Sequence, residues 1–232
     1  MNTNRKTAII VGVLFIIGTV VGILSRVIFL GPILSDPNYL VKVSENQNQI
    51  VIGALFVLTM GFTLAMIPVM MFPIFKKHNE ALALGYVVSR GALETVTCIA
   101  MVICWLFLIT VSQEYVKAGA PDASYFQTLG TLLLKANVQI GSILDIVFPL
   151  GALIVYYLFY QSKLIHRWIS VWGLIGAIMY LASGLLVMFG LITSTISDVL
   201  QLPIFLQEMV MAVWLIVKGF NPSAIASGSA KA

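Results

Sequence analysis

Apolar stretches long enough to cross a lipid bilayer recur along almost the whole sequence. A helix needs about 20 consecutive apolar residues to cross the hydrocarbon core. The apolar residues here form continuous runs, whereas the strands of a membrane β-barrel alternate apolar and polar residues. Charged residues make up 9% of the chain, compared with about 25% in a soluble domain. The sequence therefore predicts an all-α, polytopic membrane protein.

The apolar runs divide the chain into six predicted membrane-spanning helices, which we interpret as a six-transmembrane-helix bundle forming a single domain over residues 1–232. Polar and proline-containing segments separate the runs. The predicted spans are residues 7–30, 48–75, 81–112, 130–160, 168–192 and 198–218. The two longest loops, 31–47 and 113–129, lie on the same side of the predicted membrane. Loop 31–47 is expected to be a solvated connector, although it could also cap an outward-facing mouth.

Lysine and arginine residues are distributed unevenly between the two sets of predicted loops. One set, with the chain ends, contains Arg5, Lys6, Lys76, Lys77, Lys163, Arg167, Lys218 and Lys231. The other contains Lys42 and Lys117 beside acidic residues. Because cytoplasmic loops are enriched in cations, we expect a multi-pass protein of the cell inner (plasma) membrane with both termini in the cytoplasm.

Two further features bear on the partners of this chain. Aromatic residues fall near the predicted cytoplasmic interface, as an interfacial belt should: Tyr156, Tyr157, Tyr160, Trp168, Trp172 and Trp214. The cations are spread over short loops and form no basic stripe, which argues against nucleic acid as a partner despite the net charge of +4. The lipid bilayer is therefore the expected partner, and the sequence identifies no protein partner.

Four ionisable residues lie deep inside the predicted spans, where a charge costs at least about 2.5–3.5 kcal/mol. They are Arg90 and Glu94 in the third span, Asp145 in the fourth and Glu208 in the sixth. The three carboxylates fall close to the midpoints of their spans, so they could share one level of the bilayer. The least costly arrangement points all four inward to meet each other. These four residues form the predicted ligand- or proton-binding site.

The sequence also predicts how some of these residues interact. Arg90 and Glu94 are four residues apart, so they lie on one helical face and can pair. Pro149 follows Asp145 by four residues and has no N–H group, so the Asp145 carbonyl is expected to lose its helical partner. A carboxylate and a freed carbonyl at one turn can accept several hydrogen bonds or a cation.

The charges of the predicted site do not balance, since one cation accompanies three carboxylates. Either one or two carboxyl groups stay protonated in the low-dielectric interior, or a further cation, such as a proton or metal ion from solution, approaches the site. The alternative is a structural clamp, in which Arg90 ties the third, fourth and sixth spans together without any ligand.

Motifs for known enzyme and cofactor sites are missing from the sequence. It contains no H-E-x-x-H zinc motif, no phosphate-binding or dinucleotide-binding glycine loop and no G-x-S-x-G elbow. The histidines, His78 and His166, fall in predicted loops, which argues against an embedded haem with paired histidine ligands. We therefore predict no catalytic residue, metal or cofactor, and whether the protein is an enzyme stays open.

Four segments carry a family resemblance and together cover most of the chain: AIIVGVLFIIGTVVGILS, LALGYVVSRGALETV, YYLFYQSKLIHRWISVWGLIGAI and LQEMVMAVWLIVKGF. They resemble a bacterial family of integral membrane proteins known only as a domain of unknown function (4386). The resemblance implies a six-helix membrane protein and brings no established activity with it.

Three functions are compatible with these observations. The first is an integral membrane binding or transport protein with a buried titratable site at the bilayer midplane, which would exchange a proton or small ion. The second is a non-catalytic regulatory or interaction subunit in which the buried charges are structural. The third is an intramembrane lipid-modifying enzyme with Glu94 or Asp145 as general base, although no nucleophile–base pair is visible.

Overall fold

A computed structural model describes residues 3–118 and 120–229. Within these ranges the chain forms helices and no β-strand. The α-helices are α1 (Thr3–Leu24), α2 (Gly31–Leu34), α3 (Tyr39–Glu45), α4 (Gln47–Phe75), α5 (Glu80–Tyr86), α6 (Glu94–Lys117), α7 (Ala120–Ser162), α8 (Arg167–Met188), α9 (Ser194–Val217) and α10 (Pro222–Ser229). Two π-helical segments, Ser25–Leu30 and Val87–Leu93, continue α1 and α5 without a break.

Six helical stretches in the described residues are long and apolar enough to cross a membrane. In chain order they are Thr3–Leu34, Gln47–Phe75, Glu80–Lys117, Ala123–Ser162, Arg167–Met188 and Thr195–Val217. We refer to them as the first to sixth spans. The predicted all-α class with six membrane-spanning helices is confirmed.

The structure differs from the prediction in the two long connections. Loop 31–47 contains the short helices α2 and α3, and most of 113–129 belongs to the ends of α6 and α7. Hydropathy marks only the apolar part of a helix, whereas backbone hydrogen bonding continues wherever the residues allow it. The helices of the third and fourth spans therefore extend beyond the apolar segments from which they were predicted.

The chain separates into two compact units. Unit 1 consists of Met1–Ile17, Thr63–Thr95 and Leu144–Ala232. Its core includes Phe75, whose ring makes edge-to-face contacts with Tyr86 (6.1 Å between centroids) and Phe159 (5.1 Å). The fifth span (α8) and the sixth span (α9) pack against each other in this unit. All four predicted site residues belong to it.

Unit 2 consists of Gly18–Phe62 and Val96–Ile143. Its core is apolar and includes Leu30, Ile50, Cys98, Trp105 and Leu108. Buried polar groups in this unit bind backbone carbonyls: Ser112 Oγ donates to Leu40 O (2.6 Å), Ser25 Oγ to Gly53 O (2.8 Å) and Asn137 Nδ2 to Met101 O (2.9 Å). Such bonds satisfy polar side chains where water is scarce.

The single domain over residues 1–232 remains a prediction. Residues 1, 2, 119 and 230–232, and with them Lys231 of the predicted cytoplasmic set, lie outside the described residues. The predicted site lies in unit 1, because that unit contains the ionisable residues predicted for the bilayer midplane.

Candidate functional site

Arg90 lies in the π-helical segment Val87–Leu93, and Glu94 is the first residue of the α-helix that follows. A π-turn has i→i+5 hydrogen bonds and widens the helix locally. Such turns are rare and frequently occur at functional sites. Both side chains are buried in unit 1. The unusual backbone of the third span therefore coincides with the motif that carries its charges.

Two carboxylates contact the Arg90 guanidinium. Arg90 Nε lies 3.5 Å from Glu94 Oε2, and Arg90 Nη2 lies 3.3 Å from Glu208 Oε1. The exposed fractions of the three side chains are 2% for Arg90, 6% for Glu94 and 12% for Glu208. The structure thus brings three of the four predicted site residues together, and we call these three residues the Arg90 cluster.

Aromatic rings flank the Arg90 guanidinium. Its Cζ atom lies 4.7 Å from the centre of the Phe148 ring and 5.6 Å from that of Phe15. A cation over an aromatic face gains roughly 0.5–2 kcal/mol, with the higher values at desolvated sites. Arg90 therefore interacts with residues of the first, fourth and sixth spans as well as its own.

Asp145 occupies a neighbouring position in the fourth span. Its Oδ1 atom accepts a hydrogen bond of 2.9 Å from the Tyr180 hydroxyl in the fifth span. The Tyr180 ring makes an edge-to-face contact of 4.8 Å with Phe148, which also faces Arg90. The structure thus connects Asp145 to the surroundings of the Arg90 cluster through these two rings. Direct pairing of Asp145 with Arg90 stays a prediction.

Gly184 permits the close approach of the fifth span to Asp145. A Cβ atom added at Gly184 would lie 2.9 Å from the backbone oxygen of Asp145 and 3.0 Å from its Cβ atom. Both distances are shorter than ordinary van der Waals contact, and neither neighbour is the end of a flexible side chain. Glycine is therefore required for the packing that places Tyr180 beside Asp145.

The buried Tyr156 hydroxyl lies within hydrogen-bonding reach of the Gln207 side chain. Two further buried oxygen atoms in unit 1, Tyr86 Oη and Ser170 Oγ, make no well-aligned hydrogen bond with a described residue. Tyr86 precedes Arg90 by four residues, and Gln207 directly precedes Glu208. Buried polar groups in folded proteins normally have partners, because an unsatisfied one costs about 1–3 kcal/mol. These atoms are therefore potential contacts for water or a small polar ligand.

Tyr156 is one of the residues predicted to lie in the interfacial belt. The structure instead buries its side chain completely, while Tyr157 and Tyr160 of the same helix are exposed. Neighbouring positions on a helix point in different directions, so one aromatic run can supply both the core and the interface. The belt prediction is wrong for Tyr156.

A chain of hydrogen bonds leads away from Tyr180 towards the start of the sixth span. Ser183 Oγ donates to Tyr180 O (2.8 Å), Ser197 Oγ to Ser183 Oγ (3.2 Å) and Gln201 Nε2 to Ser197 Oγ (3.0 Å). Ser183 and Ser197 are buried. The sequence carries no signal for these residues, because isolated serines in apolar helices are common and form no motif.

The charged and polar groups of unit 1 are suited to binding a proton or a small polar species. Within residues 3–118 and 120–229, no group of three or more His, Cys, Asp or Glu side chains is placed to hold a metal ion. The carboxylates of the Arg90 cluster can accept hydrogen bonds or protons, and the tyrosine hydroxyls can donate or accept. These groups can therefore donate and accept hydrogen bonds, and the carboxylates can bind protons.

Comparison with known protein families places this chain in a family. A family model described as "Domain of unknown function (DUF4386)" matches residues 10–219. No curated protein and no solved structure matches the chain. The matched range contains Arg90, Glu94, Asp145 and Glu208, and the description of the family assigns them no role.

Proposed function

We propose that this chain, which belongs to the DUF4386 family, is an integral membrane binding or transport protein whose buried carboxylates exchange a proton. The observation that carries this proposal is the Arg90 cluster, in which one buried guanidinium faces two carboxylates at 3.5 and 3.3 Å. A third carboxylate, Asp145, accepts a hydrogen bond from Tyr180, whose ring contacts the Phe148 ring that faces Arg90. Ionisable residues at this depth in a membrane protein typically belong to ion or proton pathways.

The charge of these groups supports proton exchange. Arginine keeps its proton, so full ionisation of Glu94, Asp145 and Glu208 would give these four residues together a net charge of −2. Burial and mutual repulsion both disfavour that state. Binding of a proton to one carboxyl group reduces the excess negative charge, and release of that proton restores the excess. In this proposal the carboxylates are the proton-binding groups, and Arg90 is the fixed counter-charge that holds Glu94 and Glu208 in place.

Further polar groups surround the carboxylates in unit 1. Hydrogen bonds from Gln201 through Ser197 and Ser183 end at the backbone carbonyl of Tyr180, whose hydroxyl donates to Asp145. Because a backbone carbonyl does not relay protons, water would have to complete a proton route in the proposed function. The buried hydroxyls of Tyr86 and Tyr156 offer additional polar groups in the same unit. Proton pathways in membranes commonly use such chains of polar side chains and water.

The structural clamp is the second candidate function, and the burial of Arg90 favours it. Arg90 is flanked by two aromatic rings and pairs with carboxylates of two different spans. Such a group could hold the helices of a regulatory or interaction subunit together without exchanging anything. A clamp keeps one protonation state, whereas the proposed site changes its state with pH.

Infrared spectroscopy of the purified protein distinguishes these two functions. We expect a carboxyl-stretch band from a protonated side chain whose intensity changes between about pH 5 and about pH 8, the range in which biological proton switches operate. The band should disappear in Glu94→Gln, Glu208→Gln or Asp145→Asn. Glu80→Gln, which replaces an exposed carboxylate of unit 1, is the matched control and should leave it unchanged. A constant spectrum across this range would support the clamp.

We also propose that the protein lies in the inner (plasma) membrane with both termini in the cytoplasm, on the basis of its cation distribution. Single cysteines near Asn46 should react with an impermeant thiol reagent on intact cells, whereas cysteines near His78 or Ser162 should react only after lysis. The opposite labelling pattern would reverse the proposed orientation.

A further inference from the structure

A cleft of about 500 Å³ opens in unit 1 beside the connection between the fourth and fifth spans and the end of the sixth. Its lining includes Lys163, His166, Arg167, Trp214, Lys218 and Asn221. We call it the basic cleft. The fourth span ends at Ser162, the fifth begins at Arg167 and the sixth ends at Val217. The cleft therefore lies at the ends of three helices that are long and apolar enough to cross a membrane, where lipid headgroups are expected.

The basic cleft is positively charged. Lys163, Arg167 and Lys218 are all exposed, and none of the residues that line the cleft is an aspartate or glutamate. Three fixed positive charges without an acidic neighbour create a favourable potential for an anion. The cleft is thus suited to a negatively charged ligand.

Backbone contacts fix the two walls of the basic cleft relative to each other. The Asn221 N–H group donates a hydrogen bond of 2.9 Å to Leu164 O. Lys163 has a φ of 58° and Gly219 a φ of 74°, so each wall contains a residue in the left-handed region, which Gly adopts easily and lysine rarely. A Cβ atom at Gly219 would also lie 2.8 Å from Arg5 Nη1. The cations are therefore presented by a preformed backbone.

Two helices begin at residues that line the basic cleft. α8 starts at Arg167 and α10 starts at Pro222. The His166 side chain makes no capping hydrogen bond to α8. The first N–H groups of a helix carry partial positive charge and favour anions, phosphate groups in particular. At α10, Pro222 has no N–H group and the Ser223 N–H already donates to Asn221 Oδ1 (3.2 Å), so it is the start of α8 that adds a backbone contribution to the charges of the three cations.

The surface next to the basic cleft is apolar and aromatic. Trp168 is 50% exposed, Tyr157 47% and Tyr160 37%, and Arg167 lies over the Tyr160 ring at 4.9 Å. Amphipathic aromatic side chains at the ends of spans are typical of the membrane interface. An anion bound in the cleft would therefore have lipid-compatible surface beside it, which free phosphate could not use but acyl chains could.

We propose that the basic cleft binds the phosphate headgroup of an anionic phospholipid. Lys163, Arg167 and Lys218 would contact the phosphate, and the neighbouring aromatic surface would accommodate the upper parts of the acyl chains. Basic pockets between membrane helices are known to bind anionic headgroups. This site is separate from the Arg90 cluster and does not depend on the function proposed for it.

The test is lipid binding by the purified full-length chain in neutral detergent. Short-chain phosphatidylglycerol should bind and stabilise the protein against thermal unfolding, whereas phosphatidylcholine of the same chain length should not. In Lys163→Gln, Arg167→Gln and Lys218→Gln, each measured singly, the affinity for phosphatidylglycerol should fall roughly fivefold per cation removed. Lys163→Arg and Lys218→Arg retain the charge and should bind within about twofold of the unmodified chain.

Lys76→Gln serves as the matched control, because Lys76 is an exposed cation of unit 1 outside the cleft. It should leave the affinity for phosphatidylglycerol unchanged. An equal loss of affinity in this variant would mean that the overall charge of the protein, and not the cleft, determines binding, and would overturn the proposal. Equal binding of phosphatidylcholine would overturn it as well. The third ligand tested is inorganic phosphate. If phosphate alone stabilises the protein as strongly as phosphatidylglycerol, the ligand is a free anion and the lipid assignment is wrong.

Discussion

Replacing Arg90 with leucine is expected to lower the free energy of unfolding by about 3–5 kcal/mol, the usual cost of removing one partner from a buried ion pair. The change leaves Glu94 and Glu208 buried without the guanidinium that lies within 3.5 Å of both. It also removes the cation from between the Phe15 and Phe148 rings. The measurement is denaturant or thermal unfolding of the purified protein in detergent.

A second substitution should recover part of this loss. Arg90→Leu combined with Glu94→Gln or Glu208→Gln leaves fewer uncompensated charges, so each double variant should be more stable than Arg90→Leu alone. Adding Glu80→Gln, which lies on the exposed surface, should bring no recovery. If the double variants within the cluster are no more stable than the single one, Arg90 does not stabilise those carboxylates.

The reciprocal change is expected to have a similarly large effect. Glu94→Gln together with Glu208→Gln leaves Arg90 as a buried cation without either of its paired carboxylates, again at about 3–5 kcal/mol. Introducing Arg90→Leu into this double variant should restore stability. The control pair Glu80→Gln and Glu114→Gln, which lie at exposed or half-exposed positions, should change stability by less than about 0.5 kcal/mol.

The stability of Arg90→Leu and the stability of the Glu94→Gln, Glu208→Gln double variant should depend differently on pH. In Arg90→Leu the stranded carboxylates can take up protons, so the folded state binds more protons than the unfolded state and stability should rise as the pH falls. In Glu94→Gln with Glu208→Gln the stranded group is an arginine, which cannot lose its charge. Its stability should show no recovery in acid. The same pH response in both variants would mean that the charges of the cluster are not the cause.

The fold could be predicted largely from hydropathy. Every span contains an apolar run long enough to cross a bilayer, and a helix is the structure that satisfies its backbone there. Hydropathy could not reveal α2, where Gly31 and Pro32 indicate a turn, nor α3 and the start of α7, where polar residues interrupt the apolar composition. Nor could it reveal the π-helical segment around Arg90, which differs from an α-helix only in its hydrogen bonding.

The candidate site could be predicted only as far as its charges. Arg90, Glu94 and Glu208 stand out because charges are rare in apolar spans, and the four-residue spacing predicts the first pair. Phe15, Phe148 and Tyr180 gave no such signal, since aromatic residues are abundant in every span. The same ambiguity led to Tyr156 being assigned to the interface. Which aromatic residues face a charge depends on how the helices rotate, and one sequence does not contain that information.

The central claim, that buried carboxylates of unit 1 exchange a proton with water, is tested most directly by hydrogen–deuterium exchange of the protonated-carboxyl infrared band. On transfer of the purified protein to D₂O near the pH at which the band is strongest, we predict that the band moves to lower frequency within minutes. Glu94→Gln, Glu208→Gln or Asp145→Asn should remove the moving band, and Glu80→Gln should retain it. A carboxyl band that stays at its original frequency for many hours, or no protonated carboxyl at any pH in the range, would contradict the claim and leave Arg90 as a structural clamp.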